Sequence, residues 1–436
     1  MKLKKVKVRL TNIIHSHTVH NTGMLFSANV FAQLAALLVY PVLTRLFSEA
    51  DFGLLNLFLS IGGVIAICST AEWQNSLPIP KDDEKAAAVA HAALVMLFAV
   101  TALCIVATTC CSQHIAALFN TSELADYLSL LPIYVFSLGL WQLLGSWLLR
   151  KKRFKLISAY QVSQSVLSVA LKCGLGVAAV AGGLLYGSVI APLLTVLIIG
   201  AVAWTTDKAP AIIISRQERL AAAREYKKFP LYAQPRALVN TLSSNLPILL
   251  LTPAFGLSDA GLFGMAMTLA VRPLSMLTNS VYQVLFQRTA AKISEKKEIR
   301  KDIRNFVLVS LAVIVPVFSG LFLILPWLTS WLLGDDWRET GVLIRIMLPW
   351  LVMVFVGGSL AFMPDVFAKQ NVSLWIECTY VLLRLAALGI GIYAESFRLA
   401  IMLFSLVGTL IIAAQLLWYI FLIRKYERER TLRTQD

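Results

Sequence analysis

Long, nearly uninterrupted apolar stretches dominate the pattern of hydrophobic and polar positions along this chain. Each approaches or exceeds the roughly 20 residues that an α-helix needs to cross a hydrocarbon core. The pattern predicts spans near 22–44, 53–74, 87–109, 127–149, 156–178, 182–204, 237–256, 261–283, 305–333, 341–362, 373–394 and 399–422. The run at 156–178 is rather polar for a span. The sequence therefore predicts an all-α integral membrane protein with about 12 transmembrane helices.

The composition agrees with this prediction. Hydrophobic residues make up 58% of the 436 residues, and charged residues make up only 14%. Soluble domains contain about 25% charged residues, so the departure is large. A water-soluble fold could not bury this much apolar surface, whereas a bilayer can solvate it.

Positive charge is concentrated on one side of the predicted spans. The net charge is +15, and 32 of the 39 Lys and Arg residues fall in the two terminal segments and the even-numbered loops. Three lie in odd-numbered loops and four lie within spans. Because cytoplasmic loops are enriched in Lys and Arg, we expect both termini in the cytoplasm. Basic clusters beside apolar spans favour contact with anionic lipids over contact with nucleic acid.

The chain is predicted to form two six-span halves. The expected divisions are an N-terminal six-helix lobe at 1–205, a basic cytoplasmic linker at 206–236, and at 237–436 a C-terminal lobe with a basic tail. Within the linker, Arg216–Glu225 predicts a basic surface helix. Similar segments, Asp51-Phe52-Gly53 and Asp259-Ala260-Gly261, follow the first and seventh spans. Six spans per half preserve orientation, which predicts two pseudo-twofold lobes around a central cavity.

Charged residues inside the predicted spans are the candidates for function, because each costs about 2.5–3.5 kcal/mol on insertion scales. They are Glu72, Lys172, Arg272, Arg345, Glu377 and Arg384. The cations outnumber the acids, and guanidinium groups donate paired hydrogen bonds to phosphate oxygens. We therefore expect an anionic substrate, contacted by the residues Arg272, Lys172, Arg384, Arg345 and the polar Asn245. Pairing of each cation with an acid on a neighbouring helix, or snorkelling, is the alternative.

The remaining chemistry predicts a transporter and not an enzyme. Glu72 and Glu377 are the candidates for coupling to H⁺ or Na⁺, with a structural ion pair as the alternative for each. The sequence contains no P-loop and no G-x-S-x-G motif, and its five histidines lack metal-ligand spacing. We expect no cofactor and no metal site, and an energy supply from an ion gradient or from the substrate gradient.

Several sequence blocks resemble a known family over nearly the whole chain. The blocks are Pro41–Ser48 with Asp51–Gly53, Gln142 with Leu149–Lys155, Tyr226–Tyr232, Asn240–Pro247, Gly261–Gly264, Pro273–Phe286, Pro326-Trp327, Gly334, Trp337 and Gly341. Together they resemble the Wzx-type polysaccharide biosynthesis flippases. These form a branch of the multidrug/oligosaccharidyl-lipid/polysaccharide exporter superfamily.

The resemblance implies a flippase in the bacterial inner membrane that serves O-antigen or other lipopolysaccharide assembly. It would move an undecaprenyl-pyrophosphate-linked glycan from the cytoplasmic to the outer leaflet by alternating access. Its expected partners are that lipid-linked oligosaccharide, membrane lipids and other polysaccharide assembly proteins.

Three other functions remain open from the sequence. An ion-coupled small-molecule exporter of the same superfamily would share the architecture, although exporters of organic cations favour buried acids. A membrane glycan polymerase or ligase would place catalytic residues on a sizeable outside loop. The longest such loop here, near 110–126, has no Lys or Arg. A non-transporting scaffold in a membrane assembly is the third.

Overall fold

The computed structural model describes residues 17–206, 215–295 and 297–433. Within these ranges the chain is helical and contains no β-strand. Residues 1–16, 207–214, 296 and 434–436 lie outside the description. The basic N-terminal segment and part of the predicted 206–236 linker lie outside it as well.

The described chain contains twelve helices of 20 or more residues, and we label them in chain order. They are α1 His17–Leu46, α2 Glu49–Cys68, α3 Asp83–Cys110, α4 Leu131–Arg150, α5 Phe154–Val177, α6 Gly183–Thr206, α7 Gln234–Phe255, α8 Leu257–Ser294, α9 Arg300–Leu333, α10 Arg338–Ser359, α11 Gln370–Tyr393 and α12 Phe397–Arg433. Shorter helices occupy the connections at Trp73–Ser76, Ser112–Leu118, Ser122–Tyr127, Leu128–Leu130, Arg216–Glu225, Phe229–Ala233, Asp335–Trp337 and Met363–Val366. Each long helix carries one predicted span, so the number and order of the long helices are confirmed.

Ten stretches of the described chain are long and apolar enough to cross a membrane. The two other long helices are α1, whose apolar part Val30–Leu46 is shorter, and the polar α5. Large apolar side chains remain exposed on α9, including Leu323 at 76% and Trp331 at 66%. Exposure of such surface to water is unfavourable by roughly 25 cal/mol per Å², whereas lipid solvates it. The chain is therefore a multi-pass membrane protein.

The second helix ends earlier than the apolar run predicts. Ala71 and Glu72 have φ values of 50° and 59°, in the left-handed region that interrupts an α-helix. As a result α2 ends at Cys68, and Glu72 lies in the connection to α3. The prediction that Glu72 is a charge within a span is therefore wrong. Hydrophobicity alone does not show where the backbone leaves the helix.

The same connection is held by Arg150, at the C-terminal end of α4. Its guanidinium donates to the backbone carbonyls of Leu77 and Lys81, each at 3.1 Å, and also to the carbonyl of Pro80. It also forms a salt bridge with Asp83 at 3.0 Å, and its side chain is only 9% exposed. Arg150 therefore fixes the α2–α3 connection against the end of α4. The sequence had identified it only as one of the clustered cytoplasmic cations.

Contacts between residues divide the chain into a unit at 1–249 and a unit at 250–436, with the division inside α7. In the first unit, α4 contacts α2, α3 and α6, while α5 packs along α1 and α6. Arg216–Glu225 forms the predicted surface helix, which packs on α3. Its Ala222 is buried in a cluster with Leu77 of the α2–α3 connection, Leu97 of α3 and Leu143 of α4.

The second unit repeats this pattern of neighbours. Here α10 contacts α8, α9 and α12, and α11 packs along α12. Each contact has a counterpart six helices earlier in the first unit, namely α4 with α2, α3 and α6, and α5 with α6. The internal repeat predicted from the two similar sequence segments is therefore present in the helix packing of each unit.

A close crossing between α11 and α12 gives a stability prediction. A Cβ at Gly391 would lie 2.3 Å from the Cα and 2.6 Å from the backbone nitrogen of Ala400, so Gly391→Ala forces the helices apart. At Gly389 of the same helix, the space that a Cβ would occupy is open. Such overpacking costs about 1–3 kcal/mol, whereas an unhindered Gly→Ala change in a helix gains about 0.5–1 kcal/mol.

We therefore expect Gly391→Ala to lower the thermal unfolding midpoint of the detergent-purified protein, and the control Gly389→Ala to leave it unchanged or raise it. Equal midpoints for the two variants would show that α11 and α12 do not cross closely at Gly391.

Candidate functional site

The predicted intramembrane cations of the second unit are not neutralised by acids among the described residues. The salt bridges of the described residues lie near helix ends, as in Arg150–Asp83 of the first unit and Arg398–Glu339 of the second. Within the described residues, Arg272, Arg345 and Arg384 form no salt bridge. Among the described residues, these arginines lack the carboxylate partner that the pairing alternative requires.

A polar stripe on α5 leads to Lys172 in the first unit. Tyr160, Gln164, Ser168 and Lys172 follow one another at intervals of four residues, which places them on one face of the helix. This face lines a cavity of about 250 Å³. Residues of three other helices complete the lining: Leu59 of α2, Tyr134 and Leu138 of α4, and Ser188 and Pro192 of α6.

This cavity combines a cation with hydroxyl and amide groups inside an apolar unit. The Ser188 hydroxyl oxygen is buried and makes no hydrogen bond to the protein, so it is available to a ligand. Tyr160 is held in place by stacking on Trp141, with the ring centroids 3.3 Å apart and the planes 6° from parallel. An ammonium group beside such hydroxyls can bind a phosphate oxygen or the hydroxyls of a sugar.

Gly187 of α6 allows the Lys172 side chain its position. A Cβ at Gly187 would lie 2.7 Å from Cγ of Lys172, so a larger residue there would displace the lysine stem. The cost of a charge inside a span identifies Lys172 from the sequence, but it identifies neither Gly187 nor the stripe. The four-residue spacing of Tyr160, Gln164 and Ser168 was the signal that could have revealed the stripe.

The second unit places Arg384 among three aromatic rings. The central carbon of its guanidinium lies 3.9 Å from the ring centroid of Phe404, 4.2 Å from that of Tyr380 and 4.8 Å from that of Trp350. Its Nε and Nη2 are buried and make no hydrogen bond to the protein. Aromatic faces attract the cation but cannot accept its N–H groups as a carboxylate would. Arg384 therefore keeps two donors that the protein does not use.

In both units a tryptophan contacts a tyrosine of the helix that carries the cation. In the first unit Trp141 of α4 stacks on Tyr160 of α5, the helix that carries Lys172. In the second, the indole nitrogen of Trp350 in α10 donates to the hydroxyl of Tyr380 in α11, the helix that carries Arg384, at 3.2 Å. The distance to the cation differs, because Tyr160 lies three helical turns before Lys172 whereas Tyr380 lies one turn before Arg384.

The other predicted substrate contacts occupy simpler settings. Arg345 of α10 lies over Phe322 of α9, with 5.3 Å between its guanidinium carbon and the ring centroid. Arg272 of α8 is exposed. The amide nitrogen of Asn245 donates to the Thr241 carbonyl at 2.8 Å within α7. None of these settings resembles the Lys172 cavity or the rings around Arg384. The substrate roles of these three residues, like those of Lys172 and Arg384, stay predictions.

The two predicted coupling acids differ in burial. Glu377 of α11 is exposed, and the Ser373 hydroxyl lies 3.5 Å from its carboxylate. Glu72 is 5% exposed and accepts a hydrogen bond from the Asn75 amide. Among the residues that the structure describes, no three His, Cys, Asp or Glu side chains are grouped so as to hold a metal ion. Coupling to H⁺ or Na⁺ stays a prediction for both acids.

Burial raises the pKa of the Glu72 carboxyl above its ordinary value, although the Asn75 hydrogen bond and the charge of Arg236 act in the opposite direction. The folded protein thus holds this proton more tightly than the unfolded chain. This tighter proton binding stabilises the folded protein at low pH. The contribution is lost as the pH rises through the raised pKa of Glu72. We expect Glu72→Gln to raise the unfolding midpoint at pH 8, because glutamine avoids the buried negative charge.

This gain should shrink as the pH falls toward about 4.3, where an ordinary glutamate is half protonated. Melting curves of wild type and variant across this pH range test the prediction. The exposed Glu225→Gln is the control. A difference between wild type and Glu72→Gln that does not vary with pH would contradict it.

The chain is similar to a known protein family in sequence and to solved transporter structures in fold. A family model described as "Polysaccharide biosynthesis protein" matches residues 42–341, which is most of the chain. No curated protein matches the chain.

Solved structures of membrane transporters share the fold at low identity. An inward-facing multidrug resistance MATE family transporter of the MOP superfamily is 15% identical, with a TM-score of 0.72 over 91% of this chain and 96% of its own. The lipid II flippase MurJ, in an inward closed conformation, is 12% identical, with a TM-score of 0.71 over 95% and 90%. A MOP superfamily transporter from Pyrococcus furiosus, described as having a binding pocket of reverse polarity, is 14% identical with a TM-score of 0.53 over 93% and 95%. These similarities show that the chain has the MOP superfamily fold.

Proposed function

The chain belongs to the polysaccharide biosynthesis protein family, and from this premise we propose that it is a flippase for a polyprenyl-pyrophosphate-linked oligosaccharide. It moves the glycan from the cytoplasmic to the outer leaflet of the bacterial inner membrane by alternating access, for assembly of a surface polysaccharide. Both termini lie in the cytoplasm, on the side where Lys and Arg are concentrated.

The Lys172 cavity is the observation that carries this proposal. A flippase must stabilise a charged, hydroxyl-rich head group at membrane depth, where unpaired polar groups are very unfavourable. The cavity offers the Lys172 cation together with polar groups of Tyr160, Gln164, Ser168 and Ser188. Arg384 adds a second cation whose Nε and Nη2 are not used by the protein. An exporter of organic cations would need acids at such positions, and these surroundings are cationic.

Depletion of the protein in its own host tests the proposal. We expect the lipid-linked oligosaccharide to accumulate on the cytoplasmic leaflet while the surface polysaccharide disappears, because the glycan is still made but no longer crosses. Mass spectrometry of extracted lipids identifies the accumulated molecule. Unchanged surface polysaccharide without accumulation would exclude this function.

A reconstituted assay separates flipping from polymerisation. Proteoliposomes that contain the purified protein and the lipid-linked oligosaccharide extracted from depleted cells should expose that glycan to an added glycosidase. The control is liposomes without protein. Longer glycans in the product would instead indicate the polymerase alternative.

A further inference from the structure

A second basic feature lies in the second unit, at the ends of α9 and α12. Arg300 and Arg304 are one turn apart near the start of α9, and Arg424 lies near the end of α12. All three are exposed. Within the described residues, none of the three forms a salt bridge. Three arginines without a salt bridge thus converge at one end of this helix pair.

These arginines surround an apolar groove of about 240 Å³ between α9 and α12. Val307 and Leu308 of α9 and Ile420 of α12 form its walls, one to two helical turns from the arginines. From Arg300 to Leu308 the helix rises about 12 Å, so the groove runs from a charged rim toward apolar depth. Pockets that hold a whole drug-sized ligand measure about 300–1,000 Å³. The groove is smaller and suits a segment of one hydrocarbon chain.

The groove has a fixed base. The Glu427 carboxylate of α12 accepts hydrogen bonds from the backbone nitrogens of Ile299 and Arg300, at 2.8 and 3.2 Å, and so caps the start of α9. Glu427 is in turn paired with Arg430 at 3.0 Å. Glu427 forms no salt bridge with Arg300, Arg304 or Arg424. The helix ends are therefore joined while the three arginines stay available.

We propose that this groove binds an anionic phospholipid of the surrounding bilayer, with the phosphate at Arg300, Arg304 and Arg424 and an acyl chain along Leu308 and Ile420. Charge complementarity favours this occupant, because three cations form the rim of an apolar slot. The charge distribution predicts that this end faces the cytoplasm, and the cytoplasmic leaflet is the one rich in anionic lipid. The groove shares no residue with the Lys172 cavity or with the rings around Arg384, so it does not depend on the identity of the cargo.

Lipid titration of the purified full chain tests the proposal. Phosphatidylglycerol should raise the thermal unfolding midpoint more than phosphatidylcholine does, and native mass spectrometry should show retained phosphatidylglycerol. In the triple variant R300Q/R304Q/R424Q we expect phosphatidylglycerol binding to weaken by at least about tenfold, because each basic group near an anionic lipid contributes measurably. The control K155Q/K227Q/K228Q removes the same charge from exposed positions and should bind like wild type.

A groove variant separates chain binding from general attraction to anionic lipid. Leu308→Trp keeps all three arginines and fills the slot, since Leu308 is 57% exposed within it. We expect reduced retention of phosphatidylglycerol and an unchanged midpoint in lipid-free detergent. Wild-type retention by either the arginine variant or Leu308→Trp would overturn the proposal. Loss of phosphatidylglycerol from K155Q/K227Q/K228Q equal to that from the arginine variant would also overturn it. So would a rise in the unfolding midpoint with inorganic phosphate equal to that with phosphatidylglycerol, because it would show a phosphate site without a lipid.

Discussion

Replacement of Lys172 by methionine is expected to slow transport of the lipid-linked glycan by at least about tenfold while the protein stays folded. Hydrogen bonds to a charged group contribute about 1.5–3 kcal/mol, which corresponds to roughly a tenfold to hundredfold change. Methionine fills the space of the lysine stem beside Gly187 but removes the ammonium group from the cavity. The rate of glycan exposure in proteoliposomes gives the measurement.

A structural role for Lys172 leads to a different pattern. If Lys172 stabilises the fold, methionine should lower the unfolding midpoint and reduce transport together, whereas a cargo contact predicts that transport falls with little change in the midpoint. Lys172→Arg should keep most of the transport because it keeps the charge. Lys155→Met, at the exposed start of the same helix, is the matched control. Full transport by Lys172→Met would show that Lys172 does not contact the cargo. Loss of transport in proportion to loss of folded protein would show the same.

The number and order of the helices were predictable because one physical requirement sets them. A span needs about 20 apolar residues whatever surrounds it, so the apolar runs indicated where the twelve long helices lie, although α5 is polar for a span. Hydropathy did not predict that α2 ends at Cys68, before Glu72. The end of α2 depends on two left-handed residues, and such backbone conformations leave no trace in a hydropathy pattern.

The surroundings of the embedded charges were only partly predictable. The cost of placing a charged side chain inside a membrane span identified Lys172 and Arg384 as candidates for function. The structure adds different neighbours to each: a row of polar groups on its own helix for Lys172, and rings from three helices for Arg384. Tyr380 lies one turn from Arg384 and was readable from spacing. Trp350 and Phe404 come from α10 and α12, and only the tertiary packing places them there.

Arg384→Lys is the second change for which we expect a large effect, with transport reduced about tenfold although the charge is kept. The planar guanidinium stacks on ring faces and presents its remaining N–H groups in fixed directions, which a lysine ammonium cannot reproduce. Gly408 of α12 also fits this side chain, since a Cβ there would lie 3.1 Å from Nη2 of Arg384. The measurement is again glycan exposure in proteoliposomes, normalised to folded protein.

Arg345→Lys is the matched comparison, because Arg345 lies over the single ring of Phe322 at 5.3 Å. If the three rings hold Arg384 in a working orientation, Arg384→Lys should slow transport much more than Arg345→Lys. Trp350→Phe should fall between them, because it keeps a ring but loses the 3.2 Å hydrogen bond to Tyr380. If Arg384 only joins α10, α11 and α12, Arg384→Lys and Trp350→Phe should lower the unfolding midpoint and leave transport per folded molecule unchanged. That result would assign the aromatic cluster to stability and leave Lys172 as the cation supported by a polar cavity.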